Sequence, residues 1–270
     1  MILTIDVGNT NINCGIYSKA KNDSHNGSLK CSRELLKTFR LTSRQTRTSD
    51  EYGMILTDLL NINRIDINEI TGAVIASVVP GVMHALTGAV KRYIGVSPLI
   101  VGPGVKTGIK ITSENPREIG ANRIATAVAG FIIYGGPILV LDFGTATTYD
   151  LVTADGSFGA GITAPGISLS AKALWEGTAR LPEVEIKKPK SILAGETVSS
   201  IQAGIVYGQI GQTEYIIKQV IKETGYKDLK VVATGGLGRI IAAETDTIQT
   251  FDSHLTLEGL RIIYEKNNSN

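Results

Sequence analysis

Short apolar runs recur along the chain, and most stop at a polar turn that contains glycine. The first, residues 2–5, leads into "DVGNT" and then "NINCGIYS", whose alternation predicts a second strand and therefore a hairpin with an acidic, glycine-rich tip. "KAKNDSHNGSLK" reads as a polar surface excursion, and residues 20–35 are longer than the hairpin requires. "TSDEYGMILTDLLNI" carries apolar residues at helical spacing, acids in its first turn and Ser49 as a candidate N-cap. "GAVIASVVPG" predicts a buried strand ending at Pro80-Gly81, "VMHALTGAVKRYIG" a helix, and "SPLIVG" another strand.

The second half repeats the plan. "PILVLDFG" predicts a strand, "TATTYDLVTADG" its hairpin partner, and "GSFGAGITAPG" the continuation of the meander. "SLSAKALWEGTARLP" reads as a helix ending before Pro182, and "SIQAGIVYGQIGQTEYIIKQVIKETG" as a long helical stretch open to interruption at its glycines. "LKVVATGG" is a strand that stops at Gly235-Gly236, and "LTLEGLRIIYEKN" is a terminal helix. Asp6 and Asp142 are about half a chain apart, each at the same point of the same pattern. The pattern predicts two related α/β lobes, each opening with an antiparallel meander followed by alternating strands and helices.

Composition narrows this without changing it. With 43% hydrophobic and 19% charged residues and no biased tract, the chain is a folded globular protein. A net charge of +2 is too small to argue for nucleic acid or a membrane surface as partner. Most of the basic excess lies between Lys19 and Arg47, where Asp23, Glu34 and many hydroxyl and amide residues dilute it into a solvated segment. Cys14 and Cys31 are the only cysteines, which argues against a disulfide framework and for a reducing compartment. The start "MILTIDVGNT" reads as a strand and lacks a basic leader, so no signal peptide is expected. "IATAVAGFIIYGGPILVL" is uncharged, but Tyr-Gly-Gly-Pro at its middle breaks a helix, so it reads as a buried helix followed by a buried strand. The expectation is a cytoplasmic protein without a membrane segment.

The chemistry is concentrated in the repeated loops, "IDVGNTNINC" and "LDFGTATTYD". A Gly/Thr turn after a strand offers free backbone N–H groups and a hydroxyl to phosphate oxygens. The Asp before it repels phosphate and must act through a divalent cation or water. Two such loops on either side of a cleft would hold a polyphosphate, and phosphoryl transfer needs mainly positioning and charge neutralisation. One such loop reads equally as a good hairpin turn, because Asp, Asn and Gly favour turns anyway; two at matching places favour function. "VVATGG" is a third glycine-rich turn, suited to close approach by a ribose or a flat ring. No Walker A sequence and no G-x-G-x-x-G opening a helix occurs. His25, His84 and His254 have no ligand spacing, and Trp175 reads as a core or subunit-interface residue.

"TIDVGNTNINCGIY", "FRLTSRQTRTSDEYG", "ASVVPG", "VGPGVKTGI", "NPREIGANRIATAVA", "LDFGTATTYDLV", "GAGITAPG", "TARLPEVE", "GETVSSIQAGIVYG" and "ATGGLG", in this order along essentially the entire chain, resemble the type III pantothenate kinases. These belong to the acetate kinase, sugar kinase, heat-shock protein 70 and actin superfamily. The resemblance implies an α/β fold of two ribonuclease H-like, actin-like ATPase lobes with a cleft between them, here residues 1–117 and 118–270. It implies ATP-dependent phosphorylation of pantothenate to 4′-phosphopantothenate, the first step of coenzyme A biosynthesis. It also implies Mg2+ with ATP, a monovalent cation (K+ or NH4+), and a homodimer whose substrate site the neighbouring subunit completes.

Residue by residue, the resemblance makes Asp6, Val7, Gly8, Asn9, Thr10, Asn11, Ile12 and Asn13 the first ATP loop, with Asp6 near the magnesium and the transferring phosphoryl group. Asp142 matches the monovalent-cation position and Thr145 an ATP contact. Gly120, Ala121, position 122 and Arg123 match the pantothenate loop, and Thr197 a substrate contact. Two positions depart from the family. Asn122 stands where the family has the Asp that accepts the hydroxyl proton, and an amide has no useful basicity. Ser113 stands where a substrate-lining Tyr is usual. These departures leave two alternatives open: a weakened relative acting on another small hydroxyl compound, or a nucleotide sensor.

Overall fold

The computed structural model describes residues 1–23 and 30–268. The centre of the polar excursion, residues 24–29 with His25, lies outside the described residues. In chain order the elements are β1 (Ile2–Val7), β2 (Asn11–Tyr17), β3 (Lys21–Asp23), β4 (Lys30–Ser32), β5 (Leu35–Thr42), α1 (Ser49–Ile62), β6 (Gly72–Ser77), α2 (Pro80–Ala89), β7 (Leu99–Ile100) and β8 (Lys110–Ile111). They continue as α3 (Ala121–Ala129), β9 (Ile138–Phe143), β10 (Ala146–Val152), β11 (Ser157–Pro165), α4 (Ile167–Glu176), α5 (Thr197–Thr224), β12 (Lys230–Thr234), α6 (Gly238–Ala242), β13 (Thr250–Phe251) and α7 (Leu255–Asn268).

The chain forms two compact units, each assembled from more than one segment. The first comprises Met1–Gly108, Asn115–Ala129 and Thr256–Asn270, and the second Ile109–Glu114 and Gly130–Leu255. α3 and α7 fall in the first unit with the N-terminal sheet. Thr126 and Thr256 share a hydrogen bond of 3.0 Å, and Gly259 approaches Ala125 so closely that a Cβ there would collide with the Ala125 carbonyl oxygen.

The first unit holds a five-stranded sheet in the order β5-β2-β1-β6-β7. β1 pairs antiparallel with β2 and parallel with β6, and β2 pairs antiparallel with β5. The second unit's sheet runs β13-β12-β9-β10-β11-β8, with β9 antiparallel to β10 and parallel to β12. Apart from β8 the two orders are the same, three meander strands followed by two parallel ones, so the duplication legible in the loops extends to topology. β1 is buried at every position, as a central strand covered on both faces must be. Leu3, Ile5, Val7, Tyr52, Leu56, Leu60, Ile75 and Leu86 form the first core, and Leu139, Leu141, Phe143, Val206, Ile210, Val231 and Ala233 belong to the second. Burying each large aliphatic side chain contributes about 1.5–3 kcal/mol against chain entropy.

Several local expectations are corrected. The N-cap of α1 is Thr48, not Ser49: the Thr48 hydroxyl accepts from Glu51 N–H at 3.2 Å and the Glu51 carboxylate accepts from Thr48 N–H at 2.7 Å, a reciprocal capping box. α5 runs unbroken for 28 residues through Gly204, Gly208 and Gly211. Each such glycine costs about 1 kcal/mol of helix propensity, but Ile201, Val206, Ile210 and Ile217 hold the helix by burial. α4 does end before Pro182 as expected, at Glu176 with Gly177 as C-cap. Trp175 is 40% exposed and, among the described residues, belongs to neither core cluster. Cys14 is a buried free thiol. No helix among the described residues is long and apolar enough to cross a membrane.

Candidate active site

The first loop is built by the β1–β2 hairpin. Gly8 N–H donates to the Asn11 carbonyl at 2.9 Å and closes the turn, while Ser43 N–H donates to the Thr10 carbonyl at 3.1 Å and anchors it to the chain after β5. Period-two alternation turns Ile5 and Val7 into the core and leaves Asp6 on the opposite face of β1. Asp6 is nevertheless buried. Its Oδ2 accepts from Asn13 Nδ2 at 3.3 Å, and its Oδ1 has no hydrogen-bond partner among the described residues. Burial pushes the Asp6 carboxyl up to about 6, and the hydrogen bond from Asn13 opposes that rise.

A buried carboxylate oxygen without a partner is unfavourable unless something charged meets it in use. A single carboxylate so placed fits a divalent cation that keeps most of its own waters and takes only one or two protein carboxylates. Among the described residues no cluster of three or more His, Cys, Asp or Glu side chains forms a protein-only metal cage.

The loop Gly120–Arg123 lies in the same unit, where α3 begins. Its connection to the first loop is Val78. Val78 N–H donates to the Val7 carbonyl at 3.1 Å, extending the β1–β6 ladder to the residue beside Asp6. A Cβ on Gly120 would lie 3.1 Å from Val78 Cγ1 and 2.7 Å from Asn122 Oδ1, so glycine allows both close approaches. Asn122 and Arg123 are half-buried, and the Asn122 carbonyl accepts from the Thr126 hydroxyl at 2.8 Å. The structure thus brings Asp6, the Gly8–Thr10 turn and Gly120–Arg123 to one unit, joined through a residue whose role the sequence reading missed. The only signal for Val78 was its place after the buried strand "GAVIAS", ahead of Pro80.

The second loop repeats the first. Asp142 stands across from Thr148 on β10, as Asp6 stands across from Asn13 on β2, and Gly144 N–H donates to the Ala146 carbonyl at 3.1 Å. On its other side Asp142 pairs with Thr234 of β12, which is buried. Gly235 follows with φ +96° and presses on Phe143, where a Cβ would meet backbone atoms at 2.6 Å. The glycine at 235 is therefore required by the chain itself, while the space beside Gly236 stays open. Gly166, before α4, packs on the Thr145 carbonyl. Asp142 is half-buried, and Gly144 and Thr145 are exposed.

The remaining candidates lie elsewhere in the second unit. Ser113 follows β8 and sits against Gly159 of β11, so it belongs to a different compact unit from Gly120–Arg123. Thr197 is exposed at the first position of α5, and its hydroxyl makes no hydrogen bond among the described residues.

Comparison with known proteins gives the family. The sequence profile of the type III pantothenate kinase family matches residues 2–219. A protein of Agathobacter rectalis named type III pantothenate kinase is 54% identical over 268 residues, covering 99% of this chain and 98% of that protein. Among solved structures, one described as a Baf family transcriptional activator from Campylobacter jejuni is similar with a TM-score of 0.57 at 19% identity, covering 99% of this chain and 100% of the other. One described as a 2-dehydro-3-deoxygalactonokinase from Sinorhizobium meliloti has a TM-score of 0.57 at 12% identity, covering 100% and 98%. The ethanolamine utilization protein EutJ from Carboxydothermus hydrogenoformans has a TM-score of 0.51 at 15% identity, covering 97% and 89%. These three share the fold, with two α/β lobes as the repeated pattern predicts and of the kind the family resemblance implies. With the duplicated aspartate loops, the matching sheet orders and a near full-length relative at 54% identity, the chain belongs to the type III pantothenate kinases.

Proposed function

We infer that the protein transfers the γ-phosphoryl group of ATP to the primary hydroxyl of pantothenate, forming 4′-phosphopantothenate for coenzyme A biosynthesis. The observation that carries this reading is the pair formed in one unit by the Asp6 carboxylate, with its buried free oxygen, and the Gly120–Arg123 loop packed on Val78.

In this reading the Gly8–Thr10 turn offers backbone N–H groups to the nucleotide phosphates, and residues 6–13 form the ATP loop. Asp6 would hold the magnesium ion that accompanies ATP, and that ion would supply charge neutralisation at the phosphates. Thr145 adds a hydroxyl to ATP from the second loop, and Asp142 holds a monovalent cation, potassium or ammonium. Arg123 binds the pantothenate carboxylate, where a guanidinium offers two parallel N–H donors. By the family resemblance, Gly120, Ala121, Ser113 and Thr197 are assigned as pantothenate contacts.

At position 122 the amide orients the acceptor hydroxyl but does not take its proton. The transition state of phosphoryl transfer is loose and asks little of a base, so the proton leaves to water or phosphate oxygen and turnover continues at a reduced rate.

The protein is further inferred to act as a cytoplasmic homodimer. An apolar groove of about 600 Å³, lined by Pro165, Leu169, Ala173, Leu174 and Ile205, supports this reading, as does the exposed ring of Trp175 on the same helix. The test is pantothenate-dependent release of ADP from ATP, with identification of the phosphorylated product. ATP binding without pantothenate turnover would refute the assignment.

A further inference from the structure

We propose that Arg40 is a positioning residue for phosphoryl transfer, acting through the side-chain amide of Asn13 to hold Asp6. The proposal rests on the kinase reading for its chemistry, while its geometry is independent of it.

Three adjacent strands place the residues in a row. Asn13 of β2 is the direct cross-strand partner of Asp6 on β1, and Arg40 of β5 is the direct partner of Asn13 on the other side. Arg40 Nε donates to Asn13 Oδ1 at 3.2 Å, and Asn13 Nδ2 donates to Asp6 Oδ2 at 3.3 Å. A guanidinium can only donate, and an ionised carboxylate can only accept. The amide between them therefore has one favourable orientation. Reversed, it would turn its N–H groups toward the guanidinium and its oxygen toward the carboxylate, and both contacts would repel.

The arrangement matters because Asp6 has few other supports. Its partner on β6 is Ala76, which offers no side-chain donor. Asn13 is thus the side chain that fixes the carboxylate plane, with Oδ2 engaged and Oδ1 left without a partner. Asn13 is itself only half-buried, so without Arg40 water would compete for its oxygen and the amide would be free to turn. Arg40 is exposed and reaches Asp6 only through this amide.

The test is a double-mutant cycle on the full chain, using Arg40→Leu, Asn13→Ala and the pair. Arg40→Gln is the conservative variant: its side-chain nitrogen is bonded to Cδ, as Arg Nε is, and supplies an N–H without the charge. Arg44→Ala removes a neighbouring exposed cation as a control. Two readouts are taken: kcat with pantothenate, and the magnesium dependence of binding of a non-hydrolysable ATP analogue.

Arg40→Leu is expected to weaken both by roughly tenfold, as supporting partners of a metal-facing ligand typically do, with KM for pantothenate unchanged. Arg40→Gln should return both to within about twofold of the unmutated chain, and in the Asn13→Ala background Arg40→Leu should add nothing. The proposal is overturned if Arg40→Gln behaves like Arg40→Leu, if Arg44→Ala has an equal effect, or if Arg40→Leu keeps its full effect without Asn13. Failure of the unmutated chain to phosphorylate pantothenate would refute the acceptor assignment alone, because the binding arm of the cycle still decides the role of Arg40.

Discussion

Val78 N–H donates to the Val7 carbonyl at 3.1 Å, and the Val78 side chain packs on Gly120. This residue sets the 120–123 loop against the strand that carries Asp6. Gly120→Ala would place a methyl group 2.7 Å from Asn122 Oδ1 and 3.1 Å from Val78 Cγ1. The Asn122 side chain can swing away more easily than the backbone can shift, so the expected loss falls on rate. A displacement of about 1 Å in a reacting geometry can cost as much as 10²-fold, so kcat should fall roughly ten- to hundredfold. Thermal melting should move by only a few degrees. Steady-state kinetics beside a melting curve checks this, and a large melting change with intact kcat would contradict it.

Asp6 should set a trade between stability and activity. Burial raises its carboxyl from an ordinary 3.8 to about 6, so between these values the folded chain binds the proton more tightly than the unfolded chain. Its contribution to stability is full below about pH 4 and is lost as pH rises through about 6. The loss is of order 3 kcal/mol, from about 1.4 kcal/mol per pKa unit. Asp6→Asn should therefore be more stable than the unmutated chain at pH 7.5, with the difference shrinking toward pH 4, while phosphoryl transfer is abolished. Denaturant unfolding at the two pH values measures it.

In the second unit, Gly235 combines φ +96° with backbone contact on Phe143. Gly235→Ala meets both the strain of a positive φ and a clash with main chain that cannot rotate away, a combined cost of several kcal/mol. Because Phe143 leads directly into Gly144 and Thr145, ATP affinity should fall together with stability. Retained ATP affinity in a strongly destabilised variant would contradict the role given to the 143–145 loop.

Thr48→Ala removes half of the capping box on α1, including the acceptor for Glu51 N–H. Stability should fall by about 1 kcal/mol, and KM values should be unchanged. Denaturant unfolding and kinetics on one preparation separate the two.

Much of this was readable from local pattern. The repeated loops, their hairpins and the α/β alternation follow from period-two strands and from turn residues around Asp6 and Asp142. What escaped depends on distant parts of the chain. Nothing near Thr126 says that it meets Thr256, so the assignment of α3 and α7 to the first unit was not legible. α5 is unbroken because tertiary burial of Val206 and Ile210 outweighs the low helix propensity of its glycines, which local pattern alone counts. Thr48 and Ser49 are chemically equivalent caps, and only the reach of Glu51 distinguishes them. At the site, the hairpin register would have paired Asp6 with Asn13, but Arg40 joins the row through a strand beyond the polar excursion.

The central claim is tested most directly by ATP-dependent phosphorylation of pantothenate, with and without potassium, by the chain and by Asn122→Asp in parallel. The account predicts slow turnover by the chain. It predicts an increase of about tenfold or more in Asn122→Asp, below the 10²–10⁴ typical of a general base because a loose transition state needs little base assistance. If both bind ATP and neither phosphorylates pantothenate, the account is wrong about the acceptor.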